Sequence, residues 1–314
     1  MILSSVIDHY LSHKRSLGMR FETPERMLRR FCRGAGDPEI TAISSVMVSE
    51  FIRGRGTPSS TWIFRYRILT GFYRFAISRD YADCSPLPVT VPKPPRQQTP
   101  YIYSTEELCR LLEATSILGL RRRPEIPALY RTLLLLLYGT GMRIGEALRL
   151  TLQDVDLAEN LITVRDTKFF KMRYVPFGTR LGKELAGHLQ RRRCFPMIQG
   201  ERSPFFTTHN GQPWRYTRVI SLFQRIREEA EITCPIGELR PPRLHDIRHT
   251  SAMHRMLSWY RSGQDVQQLL PRLSTYLGHV DIRSTQRYLH MTPELLEAAS
   301  QRYAQYARGA DYEG

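Results

Sequence analysis

Apolar residues recur at helical spacing along the first part of the chain. In the segment 61–79 they fall three or four positions apart between arginines, which is the spacing of one face of an α-helix. The apolar positions of this segment are Ile68, Leu69, Phe72, Phe75 and Ala76. Residues 6–18 show a similar pattern and end at Gly18, a residue type common at helix C-termini. The pattern therefore predicts a helical N-terminal region.

A run of prolines then interrupts the helical pattern. Residues 86–100, PLPVTVPKPPRQQTP, contain six prolines in fifteen positions. Because proline lacks an N–H donor and fixes φ, this run can form neither a helix interior nor a central strand. We predict a helical domain over residues 1–88, a semi-rigid linker over 89–100 and a second domain over 101–314.

Beyond the linker, the pattern predicts further helices and one β-hairpin. Ser104 precedes Glu107 by three residues ahead of a leucine-rich run, which is the signature of a capping box. A buried helix is predicted at ALYRTLLLLLY, before the turn GTGMR, and a basic helix is predicted to end at RRR, 191–193. Residues 161–177 alternate between apolar and polar, which predicts a hairpin whose turn carries Lys168 and Lys171. The fold class is therefore mainly α with a small β-sheet (α+β).

The charge balance indicates a polyanionic partner. The chain has 314 residues, with 46 Lys and Arg against 30 Asp and Glu, a net charge of +16 and a pI near 10.0. Each phosphate that a basic side chain neutralises releases counterions, so such an excess favours nucleic acid binding. The sequence shows no RNA-recognition core, and we expect double-stranded DNA as the partner.

Cysteine usage and hydropathy indicate a cytoplasmic protein. The five cysteines lie far apart without a C-x-x-C pair, which fits free thiols in a reducing compartment. The N-terminus lacks the basic and apolar regions of a signal peptide, and the longest aliphatic run, LLLLL, is too short to span a bilayer. We expect no membrane contact. When bound to DNA, the protein is expected to associate with the bacterial nucleoid.

Four short stretches carry residue types that could do chemistry. They are GTGMRIGEALRL (139–150), TKFFK (167–171), LHDIRHT (244–250) and LGHVDIRSTQRYLH (277–290). Each is weak alone, since such arginines, lysines and tyrosines are usually surface or core residues. His245 and His249 have zinc-ligand spacing, but the glutamate of H-E-x-x-H is missing. The phosphate loop of ATPases and the G-x-S-x-G elbow of hydrolases are also absent. We predict no metal and no cofactor.

Together, the four stretches match the requirements of phosphodiester transfer. The transition state carries excess negative charge on its non-bridging oxygens, which two guanidinium groups can bind. A tyrosine phenol can attack phosphorus if a base or hydrogen-bond partner helps it, because its ordinary pKa is about 10. A lysine or a histidine can supply the proton that the departing sugar hydroxyl needs.

The same stretches resemble the motifs of the tyrosine recombinase, or phage integrase, family. GTGMRIGEAL resembles the first arginine motif and LHDIRHT the H-x-x-R box. LGHVDIRSTQRYLH resembles the L-G-H…Y box, with nine residues from His279 to Tyr288. The N-terminal part and linker resemble the family's helical core-binding domain, so the likeness covers nearly the whole chain. It implies a core-binding domain followed by a catalytic recombinase domain.

The resemblance implies a role for each matching residue. Arg143 and Arg248 would hold the scissile phosphate. Tyr288 would attack it, which gives a 3′-phosphotyrosine and a free 5′-hydroxyl without ATP or metal.

The proton-transfer residues follow in the same way. Lys168 would protonate the leaving oxygen, His245 would assist proton transfer and His279 would hydrogen-bond the phosphate. Lys171 competes with Lys168, because TKFFK replaces the more usual glycine-containing turn. Glu146 would be a structural partner of the first arginine motif.

The resemblance also implies the partners and the outcome. A long span between Arg248 and His279, near MLSWYRSGQDVQQLLPRL, is similar to members from transposable elements. We therefore expect a site-specific recombinase of a mobile element, acting as a homotetramer on inverted-repeat DNA sites, with accessory proteins possible. Three alternatives remain: a type IB topoisomerase, which would share the nucleophile and the arginines but relax DNA as a monomer; a silent DNA-binding regulator of the same fold; and a basic RNA-binding protein.

Overall fold

The computed structural model divides the chain into two compact units, Met1–Gln98 and Thr99–Gly314. It describes residues 1–54, 60–89, 99–119, 123–165, 172–234, 236–237, 240–278, 283–286, 297 and 300. The described chain is mainly α-helical with one small sheet, which confirms the predicted fold class. Among these residues, no helix is long and apolar enough to cross a membrane.

The first unit is helical throughout its described length. Its elements are α1 (Leu3–Ser16), α2 (Glu22–Ala35), a 3₁₀ turn (Ile40–Ala42), α3 (Ser45–Arg53) and α4 (Ser60–Ile77). Both helices predicted in this region are confirmed as α1 and α4. Their apolar faces form one core, in which Tyr10 of α1 meets Phe72 of α4 edge to face at 5.7 Å between ring centroids.

The second unit packs its helices around α6. Its elements are α5 (Thr105–Glu113), a 3₁₀ turn (Ala114–Leu118), α6 (Ile126–Thr140), α7 (Ile144–Ala147), a 3₁₀ turn (Leu152–Asp154), β1 (Val155–Asp156), β2 (Leu161–Val164), β3 (Arg173–Pro176), α8 (Thr179–Arg192), a 3₁₀ turn (Gly200–Arg202), α9 (Tyr216–Glu229), α10 (Asp246–Arg261), α11 (Val266–Leu277) and α12 (Arg283–Gln286). Helix α6 is buried along most of its length, as its leucine run predicts. The capping box of Ser104 and Glu107 is present at the start of α5.

The sheet is a three-stranded antiparallel meander in the order β1-β2-β3. The predicted hairpin is confirmed, with Ile162 opposite Val175 and Val164 opposite Arg173. Strand β1 was not predicted, because two residues are too few to show an alternating pattern. Residues 166–171, which join β2 to β3 and carry both candidate lysines, lie outside the described residues.

The basic end of α8 is partly internal. Arg192 is fully buried, and its guanidinium donates to the carbonyl oxygens of Pro204 (2.8 Å), Phe195 (3.2 Å) and Pro196 (3.3 Å). One turn earlier, His188 is also fully buried and its Nε2 lies 3.0 Å from the Phe205 carbonyl oxygen. The middle arginine of RRR thus fixes the loop that follows α8 and offers no surface charge.

Candidate active site

Arg143 lies in the turn between α6 and α7. Gly141 ends α6 with φ +60°, and a Cβ atom there would lie 2.7 Å from Leu277 Cδ2. Arg143 precedes α7, and its backbone N–H donates to Glu146 Oε2 at 2.9 Å while its Nη1 donates to Glu146 Oε1 at 2.9 Å. Its side chain remains 42% exposed, so the guanidinium is accessible to a ligand.

Glu146 is the buried carboxylate that orients this arginine. Its second cationic partner is Arg173, at the start of β3, which donates through Nη1 to Oε1 (3.1 Å) and through Nη2 to Oε2 (2.8 Å). Burial alone would raise the pKa of Glu146, but the hydrogen bonds and charges of Arg173 and Arg143 lower it to about 2. The carboxylate is therefore ionised throughout the physiological pH range.

Arg248 lies in the first turn of α10 and is almost fully buried. Its Nη1 donates to the Gly141 carbonyl oxygen at 2.7 Å and its Nη2 to the Leu277 carbonyl oxygen at 2.8 Å. Arg143 Nη2 donates to the next carbonyl oxygen, that of Gly278, at 3.1 Å. Two arginines that are far apart in sequence thus converge on consecutive carbonyl groups at the end of α11.

His245 immediately precedes α10. Burial, followed by the positive charges of Arg248, Arg243 and Arg143, lowers the pKa of this imidazole, and Asp246 only partly opposes the shift. The neutral form, which can accept a proton, is therefore favoured near neutral pH. The rings of His245 and His249 meet edge to face at 5.1 Å, and no group of three metal-ligating side chains occurs in the described part of the chain.

The structure thus brings three of the predicted site residues, Arg143, His245 and Arg248, into one region of the second unit. Lys168, its competitor Lys171, His279 and Tyr288 lie outside the described residues. Gly278, whose carbonyl Arg143 contacts, directly precedes His279 in the chain.

Arg173 is the site residue that the sequence interpretation missed. It is 11% exposed and forms the only two-pronged ion pair with Glu146 among the described contacts. A signal was present, because Glu146 stands in the otherwise apolar segment IGEAL, where a buried acid needs cationic partners. The partner's position on the hairpin could not be inferred from one sequence.

Comparison with known proteins indicates the family of the chain. The phage integrase family matches residues 104–294. A protein of Sinorhizobium fredii named as an integrase/recombinase, y4rB, is 33% identical over 301 residues, which cover 94% of this chain and 95% of the relative. Tyrosine recombinase XerC of Oceanobacillus iheyensis is 32% identical over 237 residues, which cover 74% of this chain and 70% of the relative.

Solved structures share the fold at low sequence identity. The integrase of transposon Tn1549, in complex with transposon right end DNA, matches with a TM-score of 0.70 and 19% identity over 97% of this chain and all of that one. A lambda integrase dimer bound to a COC′ core site matches with a TM-score of 0.64 and 16% identity over 92% of this chain and 77% of that one.

Fold, site and relatives together define a DNA-recombining enzyme, one that cuts and rejoins DNA strands. The chain belongs to the phage integrase family, the tyrosine recombinases.

Proposed function

We propose that this recombinase acts through a 3′-phosphotyrosine on Tyr288, with Arg143 and Arg248 holding the scissile phosphate. The observation that carries the proposal is the convergence of both guanidinium groups on the carbonyls of Leu277 and Gly278. The segment that begins there contains His279 and ends with Tyr288. A phosphate that replaced these carbonyl acceptors would meet two fixed cations where that segment begins.

Each step replaces one ester bond to phosphorus with another. The Tyr288 oxygen attacks phosphorus, the bond from phosphorus to the 5′-oxygen breaks, and that oxygen leaves as a hydroxyl after it receives a proton. In the reverse direction, a 5′-hydroxyl of another strand attacks the phosphotyrosine and releases the phenol. Because the covalent link retains the bond energy, strand exchange requires no nucleotide hydrolysis.

Proton transfer is assigned to the remaining candidates. Lys168 is the proposed donor to the leaving 5′-oxygen, with Lys171 as its competitor, and His279 is proposed to hydrogen-bond the phosphate. His245 is proposed to assist proton transfer from the phenol, which its lowered pKa supports because the neutral imidazole can accept a proton.

The proposed partner is a pair of duplex DNA sites with inverted repeats. The net charge of +16 supports strong phosphate binding. Recombination cuts four strands, so a homotetramer is proposed to hold both sites, with accessory proteins as further partners. A role in a mobile element is supported by the S. fredii relative, which is named as an integrase.

A nicked substrate tests the proposal directly. Duplexes that carry the recombination site are nicked just downstream of the cleavage position, so that the short product strand diffuses away and religation stops. The wild-type chain should accumulate a covalent adduct in denaturing electrophoresis, whereas Arg143→Ala and Arg248→Lys should form it far more slowly, with thermal unfolding measured for each variant to confirm that it is folded. Binding without adduct would instead indicate a silent regulator, and plasmid relaxation without recombinants would indicate a topoisomerase.

A further inference from the structure

Arg173 connects three segments of the active-site region. Its Nη1 and Nη2 pair with the two oxygens of Glu146, and its Nε donates to the Tyr276 carbonyl oxygen at 3.3 Å. A Cβ atom built on Gly278 would lie 2.8 Å from Arg173 Nη1, so the guanidinium lies directly against that glycine. The arginine itself begins β3, the strand that follows the lysine-bearing turn.

The contacts between β3 and α11 extend beyond this one side chain. Tyr276 Oη donates to the Pro176 carbonyl oxygen at 3.0 Å, at the other end of the strand. The end of α11 is therefore held against β3 at two points. Arg173 contacts it from the first residue of the strand, and Tyr276 contacts Pro176 at the last. The segment that leads to His279 starts from this fixed point.

The shared carboxylate determines how Arg143 is presented. Glu146 Oε1 accepts from both Arg143 Nη1 and Arg173 Nη1, and Oε2 accepts from the Arg143 backbone N–H and Arg173 Nη2. Without Arg173, the buried carboxylate would have Arg143 as its main cation and would draw more of its guanidinium inwards. Fewer N–H groups of Arg143 would then be directed towards a phosphate.

We propose that Arg173 is a positioning residue for strand cleavage: through Glu146 it holds the Arg143 guanidinium in its phosphate-binding orientation, and through Tyr276 and Gly278 it fixes the segment before His279. This inference rests on the proposed phosphate-binding role of Arg143. With an exposed fraction of 11%, Arg173 acts through its neighbours and does not itself contact the DNA.

Two substitutions test the role at Arg173. Arg173→Lys keeps a cation beside Glu146 and is expected to fold, but one ammonium cannot reproduce the two-pronged contact. Arg173→Met removes the cation and keeps the apolar stem. The matched control is Arg131→Met on α6, which removes one exposed positive charge. Thermal unfolding and DNA affinity are measured for each variant beside the single-turnover rate of adduct formation.

The expected result separates cleavage from binding. Arg173→Met should lower the cleavage rate by about 100-fold and Arg173→Lys by about 10-fold, because displacements of about 1 Å at reacting groups have effects of that size. DNA affinity should stay within about twofold of the Arg131→Met control. Wild-type cleavage rates in a folded Arg173→Lys would overturn the proposal.

Modified phosphates identify the residue through which Arg173 acts. A methylphosphonate at the cleavage position lacks one anionic oxygen, so its cleavage depends less on Arg143. On this substrate, the ratio of the wild-type cleavage rate to that of Arg173→Met should shrink at least tenfold. A 5′-thiolate leaving group needs no proton, and it should leave this ratio unchanged. Rescue by the 5′-thiolate and not by the methylphosphonate would show that Arg173 serves the lysine donor, which would overturn the proposal.

A double-mutant cycle tests the route through Glu146. If Arg173 acts by way of this carboxylate, the double variant Arg173→Met/Glu146→Gln should cleave no more slowly than the slower single variant. If the fold-losses in cleavage rate of the two single variants multiply in the double variant, Arg173 and Glu146 act independently, which would contradict the inference. Absence of adduct with the wild-type chain would refute the proposed function itself, whereas normal wild-type cleavage with a fully active Arg173→Lys would refute only the role of Arg173.

Discussion

Gly141→Ala gives a quantitative test of how the arginine site is assembled. Gly141 adopts φ +60°, and its carbonyl oxygen accepts the 2.7 Å hydrogen bond from Arg248. An alanine Cβ would lie 2.7 Å from Leu277 Cδ2 and 3.3 Å from Ser251 Oγ. Both neighbouring side chains are buried, so neither can move aside without repacking.

The expected loss of stability has two parts. A left-handed backbone costs a residue with a Cβ about 1–2 kcal/mol relative to glycine. Overpacking against Leu277 adds about 1–3 kcal/mol. Gly263→Ala is the matched control, because Gly263 has φ +73° in the same unit but nothing within 4 Å of its added Cβ. Gly141→Ala should therefore be less stable than Gly263→Ala by about 1–3 kcal/mol.

The assay is urea unfolding in a Trp62→Phe background. Trp62 is the tryptophan of the first unit, so the remaining fluorescence reports on Trp214 and Trp259 in the second. The added Cβ should also displace the Gly141 carbonyl. Because this carbonyl accepts the hydrogen bond from Arg248, the displacement should slow adduct formation. If the free energies of unfolding of the two alanine variants differ by less than about 0.5 kcal/mol, close packing against Leu277 is not the reason that this position requires glycine.

Three further predictions concern buried charge and proton transfer. Burial lowers the pKa of His188 to about 4, so as the pH drops the unfolded chain binds the proton before the folded chain does. The free energy of unfolding should therefore fall by about 2 kcal/mol between pH 7 and pH 5. His188→Gln should show a smaller fall when measured by urea unfolding, and an equal fall would show that His188 is not the responsible group. Arg192→Met should lower the free energy of unfolding by about 1–3 kcal/mol without changing the salt dependence of DNA affinity, since this arginine is internal; a reduced salt slope would contradict its internal position. Lys168→Ala should cleave a substrate with a 5′-thiolate leaving group much faster than an ordinary one, whereas rescue of Lys171→Ala alone would assign the proton donor to Lys171.

Local sequence signals predicted much of the architecture. The capping box at Ser104 and the alternation at Ile162 and Val164 each lie within a few residues, and both gave the observed elements. The helices α1 and α4 followed from spacing alone, although α1 begins at Leu3, three residues earlier than predicted. Such features depend on neighbours in sequence, which is why one sequence is enough to find them.

Long-range charge pairing could not be predicted in the same way. The sequence predicted only that a basic helix ends at RRR, and it did not show that Arg192 is internal, with carbonyl groups from the following loop around its guanidinium. Similarly, Glu146 was expected to serve the first arginine motif, but its stronger partner, Arg173, comes from the hairpin 27 residues away. The pairing depends on how the sheet packs on α7 and α11, and no local pattern encodes that arrangement.

The identity of the residue bonded to DNA tests the central claim most directly. The trapped adduct is digested with a nuclease and trypsin, and the peptide that carries the remaining nucleotide is sequenced by mass spectrometry. We predict a 3′-linked nucleotide on Tyr288 and no adduct from Tyr288→Phe, which should still bind the same duplex with wild-type affinity. A nucleotide on another residue, a 5′-linkage, or an undiminished adduct from Tyr288→Phe would contradict the account.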